Sequence, residues 1–182
     1  MPEYRRLRIN AGTYFFTVVT YNRIPLFNRP QCRDILHSAW LDTQRRFPFE
    51  TKAICLLPDH LHCIWQLPED DVNYSIRWKE IKRLFTIQYL VGIGPGEKRN
   101  ESRQKRGEAA IWQRRFWEHT IMDDEDFGRH FDYIHYNPIK HGYVEKASDW
   151  KWTSLHKYIK EGVYDNDWVG GDEGRIQSLD WE

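Results

Sequence analysis

The sequence predicts an α+β fold in which an antiparallel sheet is flanked by helices. Three observations carry this. Thr13-Tyr-Phe-Phe-Thr-Val-Val-Thr20 is rich in the aromatic and β-branched residues that suit strands. Two more apolar runs, 49–57 and 60–67, are separated only by Pro58-Asp59, which reads as a tight connection between neighbouring strands. Segments 31–47 and 73–90 instead space their apolar residues at helical period, through Ile35, Leu36, Ala39 and Trp40 in the first and Ile76, Ile81, Leu84 and Phe85 in the second.

In chain order, the strand at 13–20 leads into a loop, 23–30, that holds two prolines. Helix 31–47, strands 49–57 and 60–67, and helix 73–90 follow. Residues 92–107 open with Gly-Ile-Gly-Pro-Gly and then become strongly charged, which predicts a mobile basic arm. They are no dinucleotide fingerprint, because they follow a helix and a proline interrupts the glycines. Residues 111–121 read as a strand or hairpin. From Asp123 to about Asn137 a helix is expected, since acidic residues crowd its first turn, where the helix dipole favours them. Pro138 and Gly142 mark its end. A last helix is predicted over 148–162, with Ser148 as its N-cap. Residues 1–162 are therefore expected to form a single domain and 163–182 an acidic C-terminal tail. Strand, helix, strand, strand, helix, strand, then helices is a ferredoxin-like order.

The chain is long enough for one proper core. No apolar run reaches the roughly 18 residues that would suggest a membrane helix, and Met-Pro-Glu-Tyr-Arg-Arg has no apolar signal segment. Cys32, Cys55 and Cys63 are odd in number and scattered, which suits a reducing cytoplasm. A cytoplasmic protein with no membrane partner is expected. Net charge is zero, 27 basic against 27 acidic residues, yet the distribution is polar. Residues 1–118 hold 20 Lys/Arg and 13 Asp/Glu, and residues 119–182 hold 7 and 14. Local fields rather than net charge steer polyanions, so a basic body remains compatible with nucleic acid. Most of the aromatic residues belong to the core, but Trp78, Trp112 and Trp117 lie near basic residues and could stack on unpaired bases.

The most chemically pointed segment is His60-Leu61-His62. On a strand, residues i and i+2 share a face, so both imidazoles project together while Leu61 points into a core. Two neutral imidazoles begin a divalent-metal site but do not finish it. The helix ending near Asn137 supplies a candidate, because Tyr133 and Asn137 are spaced i, i+4 on one face. The set would be a metal held by His60, His62 and Asn137, with a phenol one turn away. Taken singly, these residues also fit half-buried histidines and a core tyrosine. Cys63 turns to the opposite face of the strand, against a structural zinc site. Tyr136 is a rival phenol, but its i+4 partner is Lys140, a poor metal ligand.

Leu57-Pro-Asp-His-Leu-His-Cys-Ile-Trp65 resembles the HUH motif (His, bulky apolar, His) of single-tyrosine transposases. Arg115-Phe-Trp-Glu-His119 followed by Asp132-Tyr-Ile-His-Tyr-Asn-Pro-Ile-Lys-His-Gly142 is similar to the REP-associated branch of that family, as are Tyr4-Arg5-Arg6 and Gly12-Thr-Tyr-Phe-Phe-Thr17. The resemblance spans roughly residues 4 to 170. It implies the HUH nuclease fold in a catalytic domain over 1–162. The implied activity is that of a metal-dependent single-strand DNA endonuclease and strand transferase, acting on repetitive extragenic palindromic hairpins through a 5′-phosphotyrosine. By that carry-over Tyr133 is the nucleophile, and His60, His62 and Asn137 hold the metal. The family more widely often carries Gln at the last position, and Asn is shorter by one methylene. Mg²⁺ or Mn²⁺ is the expected ion, two imidazoles leaning towards Mn²⁺. A tyrosine of ordinary pKa, about 10, needs its proton taken or its anion stabilised, and His130 and Lys140 are candidates to help. Basic contacts to DNA are expected from Lys79, Lys82, Arg83, Arg99, Arg103, Lys105, Arg106, Arg114 and Arg115. A monomer is favoured over a homodimer. A non-catalytic hairpin DNA or RNA binder and a water-using metal hydrolase remain the alternative readings.

Overall fold

The computed structural model describes residues 11–170; Tyr4-Arg5-Arg6 and the acidic residues of 171–182 lie outside them. Among the described residues, one antiparallel sheet contains β1 (Thr13–Val19), β2 (Glu50–Leu56), β3 (His60–Gln66) and β4 (Trp117–Thr120), in the order β2-β3-β1-β4. Its helices are α1 (Pro30–Arg46), α2 (Tyr74–Gly92), α3 (Glu101–Lys105), α4 (Asp124–Lys140) and α5 (Leu155–Lys160). The fold is the ferredoxin-like α+β arrangement that the element order predicts.

The central strands β1 and β3 are buried on both faces, which is why they read as nearly continuous apolar runs. Tyr14, Phe16 and Val18 of β1 and Leu61, Cys63 and Trp65 of β3 form one core with α1 and α2, in which the Trp65 and Trp78 rings stack at 4.3 Å. Phe15 and Ile64 point the other way and join Ala53, Cys55 and Leu57 against Phe131, Tyr133 and Ile134 of α4. The sheet is thus a partition between two cores, and α4 alone among the long helices covers the histidine face.

Four local expectations are corrected. The arm at 92–107 is partly folded: Asn100 caps α3 by accepting from the Arg103 N–H, and the segment is tied to the body through Arg103. Only Trp117–Thr120 of 111–121 forms a strand, because Ile111 and Trp112 are drawn into the first core. Helix α4 does not stop before Pro138 but runs to Lys140; it ends with Gly142 at φ 69°, a left-handed conformation that costs glycine little. Finally, the last helix starts at Leu155 rather than Ser148, which sits in a 3₁₀ turn, Ala147–Asp149. Residues 152–154 are instead taken up by the edge of β2, which Thr153 bridges opposite Cys55: Leu56 N–H donates to the Trp152 carbonyl and Ser154 N–H to that of Ile54, both at 2.8 Å. The start of the acidic segment packs against α4, where Tyr164 stacks on Phe131 and donates to Asp132 at 2.5 Å.

Candidate metal and tyrosine site

Strand β3 carries His60 and His62 on the α4 side of the sheet, paired across β1 with Val19 and Thr17. Both imidazoles are fully buried and their centroids lie 4.9 Å apart. Each is oriented through Nδ1. That of His60 is 2.6 Å from Asp59 Oδ1, and that of His62 is 2.9 Å from Thr17 Oγ1. Burial pushes the Asp59 carboxyl up, but His60 and Arg23 together hold it below the usual carboxylate range, so it is an anion. An anion only accepts, so His60 Nδ1 bears a proton, and in a neutral imidazole with that tautomer Nε2 presents its lone pair. Second partners of this kind fix the tautomer of metal-binding histidines. Sequence reasoning took Asp59 as a turn residue, although its place directly before His60 was a signal. Thr17 becomes visible only once the β1–β3 register is known.

Helix α4 lies across this face, its start fixed by Asp123, which accepts from the Asp126 N–H at 2.8 Å. The Tyr133 ring meets His62 at 5.3 Å, and two turns on the His141 ring meets His60 at 5.2 Å. Asn137, midway between them on the same face, is therefore opposite the histidine pair. It is fully buried, and neither its Oδ1 nor its Nδ2 has a hydrogen-bond partner. An unsatisfied buried amide is costly and calls for an explanation. A cation ligated by two imidazole nitrogens and this amide oxygen supplies one, so the residues fit a divalent metal. Lys140 Nζ donates to Tyr133 Oη at 3.2 Å. Tyr136 sits on another flank of the helix, with its ring against Gly170.

Beside the site, His119, Asp126 and His130 bring their ligand atoms within 4.8 Å of one another. The Asp126 carboxylate is already engaged by His119 Nε2 at 2.7 Å and the Met122 N–H at 3.0 Å, with Arg129 at 3.6 Å. With those partners the group acts as a clamp that ties the start of α4 to β4. His130, considered as a proton acceptor for the tyrosine, donates from Nδ1 to the Asp126 carbonyl at 2.8 Å. Burial pushes its pKa down to about 4, which makes it a weak base at neutral pH.

The basic residues divide. Lys79, Arg83, Arg99, Lys105, Arg106, Arg114 and Arg115 are exposed, although Arg83 is paired with Glu80 and Arg114 with Glu108. Arg103 is a correction: it is buried and donates to the carbonyls of Ala109 at 2.6 Å and Trp112 at 2.8 Å, fastening the former arm rather than facing solvent. Lys82 is half-buried; its Nζ donates to the Gln113 carbonyl, and burial followed by repulsion from Arg103 lowers its pKa to about 8. Trp78 and Trp112 are core residues on the face away from the histidines, so they offer no stacking surface. Trp117 is exposed at the edge of the histidine face, opposite Thr17 in the sheet register.

No family model matches the chain. Its sequence is 46% identical over 179 residues to a Haemophilus influenzae protein provisionally named a REP-associated tyrosine transposase, covering 97% of this chain and 98% of that one. It is 42% identical over 170 residues to the REP-associated tyrosine transposase of Escherichia coli K12, covering 93% and 92% of the two chains. A solved REP-associated tyrosine transposase bound to a REP hairpin has a similar fold, with a TM-score of 0.79, 38% identity, and coverage of 100% of this chain and 96% of that one.

Proposed function

The chain belongs to the REP-associated tyrosine transposase family, and from that membership we propose that it cleaves and rejoins single-stranded DNA beside a palindromic hairpin, with Tyr133 as nucleophile. The observation that carries the reading is the convergence on one buried face of His60, His62, the orphaned Asn137 amide and the lysine-bonded Tyr133 hydroxyl. The catalytic domain in this proposal is residues 1–162, acting as a monomer on hairpin DNA.

His60 and His62 through Nε2, and Asn137 through Oδ1, would hold Mg²⁺ or Mn²⁺. When bound, such an ion supplies Lewis-acid polarisation of a phosphate oxygen. Tyr133 Oη attacks the scissile phosphorus as its phenol proton departs. The P–O3′ bond breaks, the 3′ oxygen leaves and takes up a proton, and the phosphate remains on Tyr133 as a 5′-phosphotyrosine. Attack by the 3′-hydroxyl of another strand reverses the step and joins the strands. Lys140 directs a cationic donor at Oη, where it meets the negative charge that passes through that oxygen as the proton leaves. The sheet and α4 hold these groups on rigid elements, which limits the reorganisation needed during reaction.

The test is a labelled single-stranded hairpin incubated with protein and Mn²⁺, then denatured. A protein–DNA adduct that is lost in Tyr133→Phe and retained in Tyr136→Phe is the expected result. Free fragments without an adduct would point to water as nucleophile. Retained affinity without either product would leave a binding protein.

A further inference from the structure

Among the described residues, the most exposed aromatic residues are Trp117 at 37%, Trp152 at 38% and Tyr143 at 44%. Trp117 stands at the edge of the histidine face, and the other two belong to one continuous ladder of rings that leads away from it. The His141 ring, which meets His60, stacks on Tyr143 at 5.7 Å with 24° between planes. Tyr143 stacks on Trp150 at 5.4 Å, again at 24°. Trp150 meets Trp152 edge-on at 5.1 Å, and the Arg33 guanidinium lies 4.2 Å over Trp152. The residues come from α1, the end of α4 and the stretch before α5, so no single element explains the alignment.

The ladder is also rigid. Trp150 Nε1 donates to the Leu56 carbonyl at 3.0 Å, and the Trp152 backbone is pinned to the edge of β2. Exposed aromatic rings held in place lose little freedom when something stacks on them. Arg33 over Trp152 at the outer end and Lys140 on Tyr133 near the inner end supply a cation at each end of this line. Flat apolar faces with interspersed positive charge match a strand of unpaired nucleotides, whose bases all carry a π-face and whose backbone is anionic.

We infer that Tyr143, Trp150 and Trp152, with Arg33, form a track on which unpaired nucleotides adjoining the hairpin stack as the strand reaches Tyr133. The inference rests on the DNA-cleaving reading above and adds the path of the strand. Stacking is insensitive to base identity, so the track supplies affinity and placement rather than sequence choice.

The experiment compares two fluorescent hairpins, one blunt and one with a single-stranded flank, by anisotropy titration in the non-cleaving Tyr133→Phe background. Tyr143→Leu and Trp152→Leu should each weaken the flanked hairpin by about fivefold or more while changing the blunt one by less than about twofold. Tyr143→Phe and Trp152→Phe keep a ring and should keep affinity. Removing the flank bases as abasic sites should weaken binding to the unmutated track by a similar factor, and this arm requires no folded variant. Equal losses on both hairpins, or an abasic flank that binds like the normal one, would overturn the track while leaving the transposase reading standing. If neither hairpin binds at all, both fall together.

Discussion

Replacing Asn137 by Leu should make the metal-free protein more stable while removing its function. Neither polar atom of this buried amide has a hydrogen-bond partner. Each such group costs about 1–3 kcal/mol relative to one that is satisfied. Leucine has nearly the same branching and size, so it relieves both penalties; imperfect fit takes back part of the gain. A net stabilisation of about 1–3 kcal/mol is expected, which for a chain of this size raises Tm by roughly 3–10 °C. Thermal unfolding in excess EDTA measures it. Mn²⁺ should then reverse the ranking. At about a hundredfold excess over its Kd, a ligand adds some 2.7 kcal/mol to the protein that binds it, and only the unsubstituted chain retains the amide oxygen proposed as third ligand. A Leu variant that melts at or below the parent in EDTA would refute the argument, since the amide would then be satisfied and not waiting for a cation.

Lys140→Met should slow single-turnover cleavage of the bound hairpin by roughly tenfold or more, because the cation that meets the charge developing on the phenol oxygen is gone; an unchanged single-turnover rate would exclude Lys140 from the reaction. Arg103→Ala should lower stability by about 2–4 kcal/mol, as it strands two buried carbonyls, whereas Lys105→Ala with Arg106→Ala should flatten the salt dependence of binding by roughly 0.7 per lost phosphate contact; a slope that stays the same would remove α3 from the DNA surface. Burial holds the His130 and His135 pKa values down to about 4 and about 3. The unfolded chain therefore takes up these protons first, and stability present at pH 7 drains away as pH falls from about 6.5 towards 4, by roughly 1.4 kcal/mol per unit for each histidine. Denaturant unfolding at several pH values should show this slope, about halved in His135→Phe.

Strand alternation was enough to put His60 and His62 on one face, and helical spacing was enough to put Tyr133 with Asn137, because both rest on local backbone geometry. What local geometry cannot reach is pairing between distant segments. Thr17 became a partner of His62 only through the β1–β3 register. The start of α5 was misplaced because Trp152–Ser154 are hydrogen-bonded to the edge of β2, about a hundred residues earlier in the chain. Arg103 looked like surface charge because nothing nearby in sequence announced that two carbonyls would enclose its guanidinium. The Tyr143–Trp152 ladder was invisible for the same reason: its rings are ordered in space and not in spacing.

The division of the molecule into two cores has a consequence for synthesis. The first core draws on residues up to Tyr89, together with Ile111 and Trp112, whereas the second waits for Phe131, Tyr133 and Ile134. A growing chain that has emerged to about residue 115 already owns β1, β2, β3, α1 and α2, with both histidines in their strand, and domains generally consolidate from the N-terminus while translation continues. Tyr133 and Asn137, the proposed nucleophile and third ligand, arrive last, as a lid on a finished platform. Nascent chains arrested before Asp124 should therefore resist protease over the first core yet form no DNA adduct, so that cutting ability switches on only as translation ends.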